Sequence, residues 1–187
     1  INKQKVDVEI GEYVEINRES NLDITLVQGI SRGQRMDYTL QKAVELGVRQ
    51  IVPVMTEHGN VQLDKERLEK RRKHWRKIII NSCEQCGRDS VPILYDVQDL
   101  SDWIKQDKSE LKFILHPDAG IRMSGVEKQG NTLTLLAGPE GGFNVQELEY
   151  AQYCGFTAIH LGPRILRTET AALVAITACQ VLWGDIF

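Results

Sequence analysis

Residues 135–183, LLAGPEGGFNVQELEYAQYCGFTAIHLGPRILRTETAALVAITACQVLW, restrict the fold most. They read as strand, turn, helix, strand, loop, helix. Residues 132–136 are a short apolar run that leads to Gly138-Pro139, a chain-reversing pair. Gly141 and Gly142 follow and permit backbone approaches that a side chain would block. Asn144 is placed to cap a helix, with Glu147 three residues on to return the hydrogen bond. Val145, Leu148, Tyr150 and Ala151 give that helix an apolar stripe, and Gly155 ends it. Residues 157–161 form a second strand. Gly162-Pro163 opens a second loop, and Thr168 is placed to cap a last helix with Glu169 in its first turn.

Two strands thus each deliver a glycine loop at their carboxyl ends, the edge where open parallel sheets bind ligands. Such loops offer backbone donors and acceptors with little side-chain bulk, which suits a compact polar ligand such as a nucleoside. Neither loop is a dinucleotide fingerprint or a phosphate loop, since G-x-G-x-x-G and G-K-[ST] are absent. Tight turns alone would also account for the glycines. Charged residues beside both loops, Glu140 on one and Arg164, Arg167 and Glu169 on the other, favour a binding role.

The last helix is apolar almost all round, through Ala171, Ala172, Leu173, Val174, Ala175, Ile176, Ala178, Cys179, Val181 and Leu182. Such a helix is covered on all sides. A sheet covers one side, and a second copy of the chain is the simplest cover for the other; the chain's own N-terminal part is the alternative.

Upstream, residues 6–30 alternate with period two: Val6, Val8 and Ile10, then Val14 and Ile16, then Ile24, Leu26 and Gln28. Three such strands make a poor core alone, so residues 1–30 are expected to be the last part of a small β-barrel. Residues 31–33 then form a hinge, and residues 31–187 the main domain. A helix over 35–46, with Met36, Leu40, Ala43 and Val44 on one side, and a strand over 48–55 begin an α/β alternation. Ser101 is expected to cap a short helix, 111–115 to form a strand whose end lies beside the two glycine loops, and 118–131 to be a polar loop.

Residues 64–86 predict a long helix with Leu68, Trp75, Ile79, Ser82 and Cys86 on one stripe. Its other face carries Lys65, Arg67, Lys70, Arg71, Arg72, Lys73, Arg76 and Lys77 against Glu66 and Glu69. Eight cations against two anions leave +6 there and −9 in the rest of a chain whose formal charge is −3. That segregation marks a phosphate-binding surface; a solvated helix face is the blander account. Gly87 stops the helix, and Arg88 either caps helix carbonyls or binds substrate.

Hydrophobic residues at 42% and charged residues at 26% describe an ordinary globular domain, and no apolar run is long enough to span a membrane. Cys83 and Cys86 form a lone C-x-x-C without a second pair or histidines at ligand spacing, so no metal is expected. Unpaired thiols fit a reducing cytoplasm.

GPEGGF followed by LGPRILRTETA resembles the ribosomal RNA small subunit methyltransferase E family, of the SPOUT class of trefoil-knotted methyltransferases. SRGQRMDYTLQKAVELGV (31–48) and CEQCGR (83–88) extend the resemblance over essentially the whole chain. It implies an open, mostly parallel α/β sheet with a C-terminal trefoil knot, preceded by the remnant of a PUA-like RNA-binding barrel. It implies methyl transfer from S-adenosylmethionine to N3 of a uridine in 16S ribosomal RNA or the small ribosomal subunit. A homodimer formed through the last helix follows from the same resemblance. The cofactor would lie against Leu115, His116, Leu136, Gly138, Pro139, Glu140 and Gly141, and against Leu161, Gly162, Arg164, Ile165 and Leu166, with Thr168 beside it.

Uridine N3 carries a proton at neutral pH, so the site needs a base or cations that stabilise the uridine anion. Arg167 is the first choice for the cation, and Glu169 and Glu140 are the carboxylates in reach; the base stays unassigned. Arg32, Arg35, Arg71, Arg72, Lys73, Arg76 and Arg88 are the residues expected on RNA. The rival readings are another SPOUT enzyme, acting on a ribose or a guanine of transfer RNA, and a non-catalytic RNA-binding module.

Overall fold

Strand β1 (Asp23–Gly29) lies inside the sheet and is buried from its second residue to its last. The computed structural model describes residues 8–12, 14, 16–59 and 64–187. After β1 come α1 (Gln34–Glu45), β2 (Gln50–Met55), α2 (Lys65–Cys86), β3 (Ile93–Leu94), β4 (Gln98–Asp99) and α3 (Leu100–Gln106). Then follow β5 (Leu111–Leu115), β6 (Ile121–Arg122), a 3-10 turn (Met123–Gly125), β7 (Thr132–Ala137), α4 (Val145–Tyr153), β8 (Thr157–His160) and α5 (Thr168–Trp183). The strand order is β3-β2-β1-β7-β5-β8-β6, with β4 also on β2, and every pairing among the described residues is parallel. The expected α/β class with a mostly parallel sheet is what the chain adopts.

Helices cover both faces, which explains the near-continuous apolar strands. Ile24 and Leu26 of β1 pack with Met36, Leu40, Trp75, Ile79, Ala172 and Ile176, the layer of α1, α2 and α5. Val27, Val52, Ile114 and Leu136 pack on the opposite side with Trp103, Ile104, Phe143 and Ala151, the layer of α3 and α4.

This corrects the reading of residues 24–28 as a barrel strand. Their alternation separates two buried layers rather than a core from solvent, and β1 pairs in parallel with β2 and β7. Residues 31–33, expected as a hinge, are the short β1–α1 connection, with Ser31 buried and its hydroxyl donating to the Gly29 carbonyl. The other expected barrel strands lie partly outside the described residues; Val8, Ile10, Val14 and Ile16 are exposed and in no strand.

Local signals set most of the helix ends. The Asn144–Glu147 capping box forms in full, Asp64 accepts from the Arg67 N–H at the start of α2, and Gly87 ends α2 at φ 75°. Two expectations are corrected. Asp99, not Ser101, caps α3: its carboxylate accepts from both the N–H and the hydroxyl of Ser101. Residues 118–131 are not a plain loop, because β6 pairs with β8 and Met123 is buried against Cys179.

No helix among the described residues is long and apolar enough to cross a membrane. The four cysteines are free thiols, and burial pushes Cys179 up to about 12.

Candidate active site

The carboxyl ends of β7, β5 and β8 lie side by side, as expected from a parallel sheet, and a cavity of about 550 Å³ opens there. Leu115, His116, Gly138, Pro139, Glu140 and Gly141 form one part of its wall. Leu161, Gly162, Arg164, Ile165, Leu166, Arg167, Thr168 and Glu169 form the other. Of the cofactor positions expected from sequence, all but Leu136 line this one cavity. Leu136 is fully buried with Phe143 and Ile114 in the opposite layer, and strand alternation turns its neighbour Ala137 to the cavity instead.

The turn after β7 leaves little room for a side chain at Gly138 and Gly141. A Cβ on Gly138 would lie 3.2 Å from the Gly142 Cα and 3.3 Å from the Phe143 ring, and one on Gly141 would lie 2.8 Å from the His58 Cβ. The loop therefore presents backbone to the cavity. His58 fastens it from outside: its Nδ1 lies 3.1 Å from the Gly141 carbonyl, which only accepts, so Nδ1 carries the hydrogen. At the neighbouring strand end the Asp118 N–H donates to His116 Nδ1 at 3.3 Å, which places the His116 proton on Nε2.

Thr168 does not cap α5. The N-cap is Arg167, without a side-chain bond. The Thr168 hydroxyl instead donates to the Gly138 carbonyl and joins the two loops. Sequence alone offered the N-cap preference of threonine but not the neighbour thirty residues earlier.

The two carboxylates differ. Glu140 accepts from the Arg32 N–H at 2.9 Å and from the Arg35 guanidinium at 2.7 Å. Burial raises its pKa, but those backbone and guanidinium donors outweigh burial and hold it below the usual carboxylate range. Glu169 lies 3.9 Å from Arg35 Nε, and its Oε2 is buried without a hydrogen-bond partner among the described residues. Arg35 therefore belongs to the cavity wall, closer to the chemistry than its expected place on RNA.

The remaining expected RNA residues divide. Arg71, Arg72, Lys73 and Arg76 lie on α2 away from the cavity. Arg72 pairs with Asp96 and Glu69, and Lys73 with Glu69. Lys70, Arg71, Arg76 and Lys77 have no ion-pair partner among the described residues. Arg88 is not on the surface. Its buried guanidinium donates to the Val44 and Val48 carbonyls at 2.9 Å and pairs with Glu19 at 3.1 Å. It takes up carbonyls at the α1–β2 junction, neither those of its own helix α2 nor a substrate.

Sequence reading missed Gln28 and Gly29. A Cβ on Gly29 would meet Pro139 Cδ at 2.5 Å and Pro139 N at 2.6 Å, so the end of β1 lies directly on the cavity turn. A glutamine in the otherwise apolar strand DITLVQG was the available signal, because a buried amide needs partners.

The family model for an RNA methyltransferase domain matches residues 18–180. Ribosomal RNA small subunit methyltransferase E of Buchnera aphidicola subsp. Schizaphis graminum is 40% identical over 187 residues, 100% of this chain and 76% of that protein. The crystal structure of ribosomal RNA small subunit methyltransferase E of Neisseria gonorrhoeae bound to S-adenosyl methionine superposes with TM-score 0.86 at 43% identity, over 91% of this chain and 70% of that one. A Legionella pneumophila protein solved in complex with the cofactor SAM gives TM-score 0.88 at 43% identity, over 92% and 72% of the two chains. With this match in sequence and fold, the chain belongs to the ribosomal RNA small subunit methyltransferase E family.

Proposed function

We propose that this chain methylates N3 of a uridine in small-subunit ribosomal RNA, with S-adenosylmethionine as donor. The observation that carries it is the single cavity in which the two glycine loops, three arginines and two carboxylates meet. The fit to the donor rests on chemistry: a turn with little room for a Cβ at Gly138 and Gly141, and apolar walls from Leu115, Leu161 and Leu166. S-adenosylmethionine brings a methyl group activated on a sulfonium centre.

The residues here position the uridine and move its proton. Arg167, at the start of α5, and Arg164 stabilise the negative charge that grows on the uracil carbonyls as N3 loses its proton. Glu169 is the better acceptor of that proton, since Glu140 is already committed to Arg32 and Arg35.

The RNA would be held by α2, whose uncommitted cations supply the phosphate contacts. Dimerisation through α5 is part of the same reading: Val174, Val181 and Leu182 leave an exposed apolar strip on a helix whose other side is packed. The trefoil knot and the barrel before β1 are carried by the family resemblance.

Calorimetric titration with S-adenosylmethionine, followed by methylation of small subunits lacking the mark, tests the proposal. Saturable binding with 3-methyluridine as product supports it; absence of binding removes it.

A further inference from the structure

Gln28 is 0% exposed and lies at the end of β1, in register with Ala137 of β7. Its Nε2 is 3.0 Å from the Gly29 carbonyl, 3.1 Å from the Thr168 hydroxyl, 3.3 Å from the Gly138 carbonyl and 3.4 Å from the Ala137 carbonyl. An amide nitrogen carries only two hydrogens, so the two shorter contacts are its main bonds and the two longer ones are shared. Three of the four neighbours are carbonyls, which accept and never donate. That fixes the amide, because the reversed orientation would set Oε1 against all three. The Thr168 hydroxyl gives its hydrogen to the Gly138 carbonyl, so towards Gln28 it accepts. Each proton in the Gln28–Thr168–Gly138 triangle is thereby assigned.

We propose that Gln28 is a positioning residue for the methyl-donor pocket. Its amide fastens the turn after β7 to the first residue of α5 and so fixes the gap between the two walls of the cavity. Gln28 does not itself line the cavity, whereas Gly138 and Thr168 both do, from opposite loops. Glycine at 29 lets the end of β1 sit against Pro139, close enough for the amide to reach both loops. Glutamate at this position would bring acceptors against three carbonyls, and methionine would fill the space while supplying no donor. The inference rests on the reading that the cavity holds S-adenosylmethionine.

The test is calorimetric binding of S-adenosylmethionine and S-adenosylhomocysteine to the full chain, with single-turnover rates, for wild type, Gln28→Met, Gln28→Glu, Thr168→Val, Thr168→Ser and Gln28→Met/Thr168→Val. Gln28→Met is expected to weaken both ligands about tenfold, the scale of one lost buried donor, with Gln28→Glu worse and RNA affinity unmoved. Thr168→Val should lose a similar factor, and Thr168→Ser should recover most of it by restoring the hydroxyl. The double variant should be no weaker than the weaker single one, because both changes remove the same link. Unchanged ligand affinity in folded Gln28→Met, or fully additive losses, overturns the proposal. Should Gln28→Met not fold, the Thr168 pair decides: equal affinities for the valine and serine variants overturn it. If wild type binds neither ligand, the pocket assignment itself fails and this inference falls with it. If wild type binds and the variants match it, only the positioning role falls.

Discussion

Arg35 donates to Glu140 across 2.7 Å, and that bond joins the start of α1 to the turn after β7. The Arg32 N–H adds a second donor to the same oxygen. A carboxylate so engaged holds the Arg35 cation in place, and its depressed pKa makes it a poor acceptor of a proton. Glu140→Gln should therefore lower the methylation rate by less than about tenfold, while Glu169→Gln should lower it by about a hundredfold or more, the usual range for a general base. Single-turnover rates on the two variants check this, and the reverse ranking would make Glu140 the base.

The Arg88–Glu19 pair is structural. Arg88→Met leaves Glu19 without its main partner and should cost about 3 kcal/mol of unfolding free energy, the scale of a broken buried pair. Urea denaturation measures it, and RNA affinity should stay the same. Burial raises the Glu19 carboxyl, but the hydrogen bond and charge of Arg88 and the Ser90 N–H bring it below its ordinary value. A depressed folded pKa means that this contribution is complete above the unfolded value and is lost as pH falls through the folded one. Wild type should therefore lose stability in acid below the ordinary carboxylate range, and Arg88→Met should lose less of it there.

Much of the site was legible in the chain because its signals are local. Glycine pairs after apolar strands, the Asn144–Glu147 box and the Gly87 stop depend on residues a few positions apart. What stayed hidden depends on long-range partners. Thr168 has a cap residue's chemistry but spends its hydroxyl on Gly138, and Arg88 is an exposed type of residue drawn inward by Glu19 and two carbonyls. Leu136 and Ala137 exchange roles because strand parity is set by which layer each face meets. The barrel reading of β1 fails for the same reason: period two does not distinguish a solvent face from a second core.

The cations of α2 that lack ion-pair partners among the described residues should set the salt dependence of RNA binding. Replacing Lys70, Arg71, Arg76 and Lys77 with glutamine should lower the slope of log affinity against log salt by roughly 3, at about 0.7 to 0.9 for each phosphate that is no longer neutralised. Filter binding at several salt concentrations measures the slope. An unchanged slope would return α2 to the role of a solvated face.

The exposed strip on α5 predicts association. Val174→Asp combined with Val181→Asp should convert a two-chain species to single chains in sedimentation equilibrium, because both side chains are partly exposed in one copy and free to meet a second. Single chains for wild type at all concentrations would contradict the dimer.

The most direct measurement is nucleoside analysis by mass spectrometry of small ribosomal subunits incubated with this chain and methyl-labelled S-adenosylmethionine. Label in 3-methyluridine is the result the proposed function predicts. Label on a ribose or on guanine, or none from a chain that binds the donor, would contradict it.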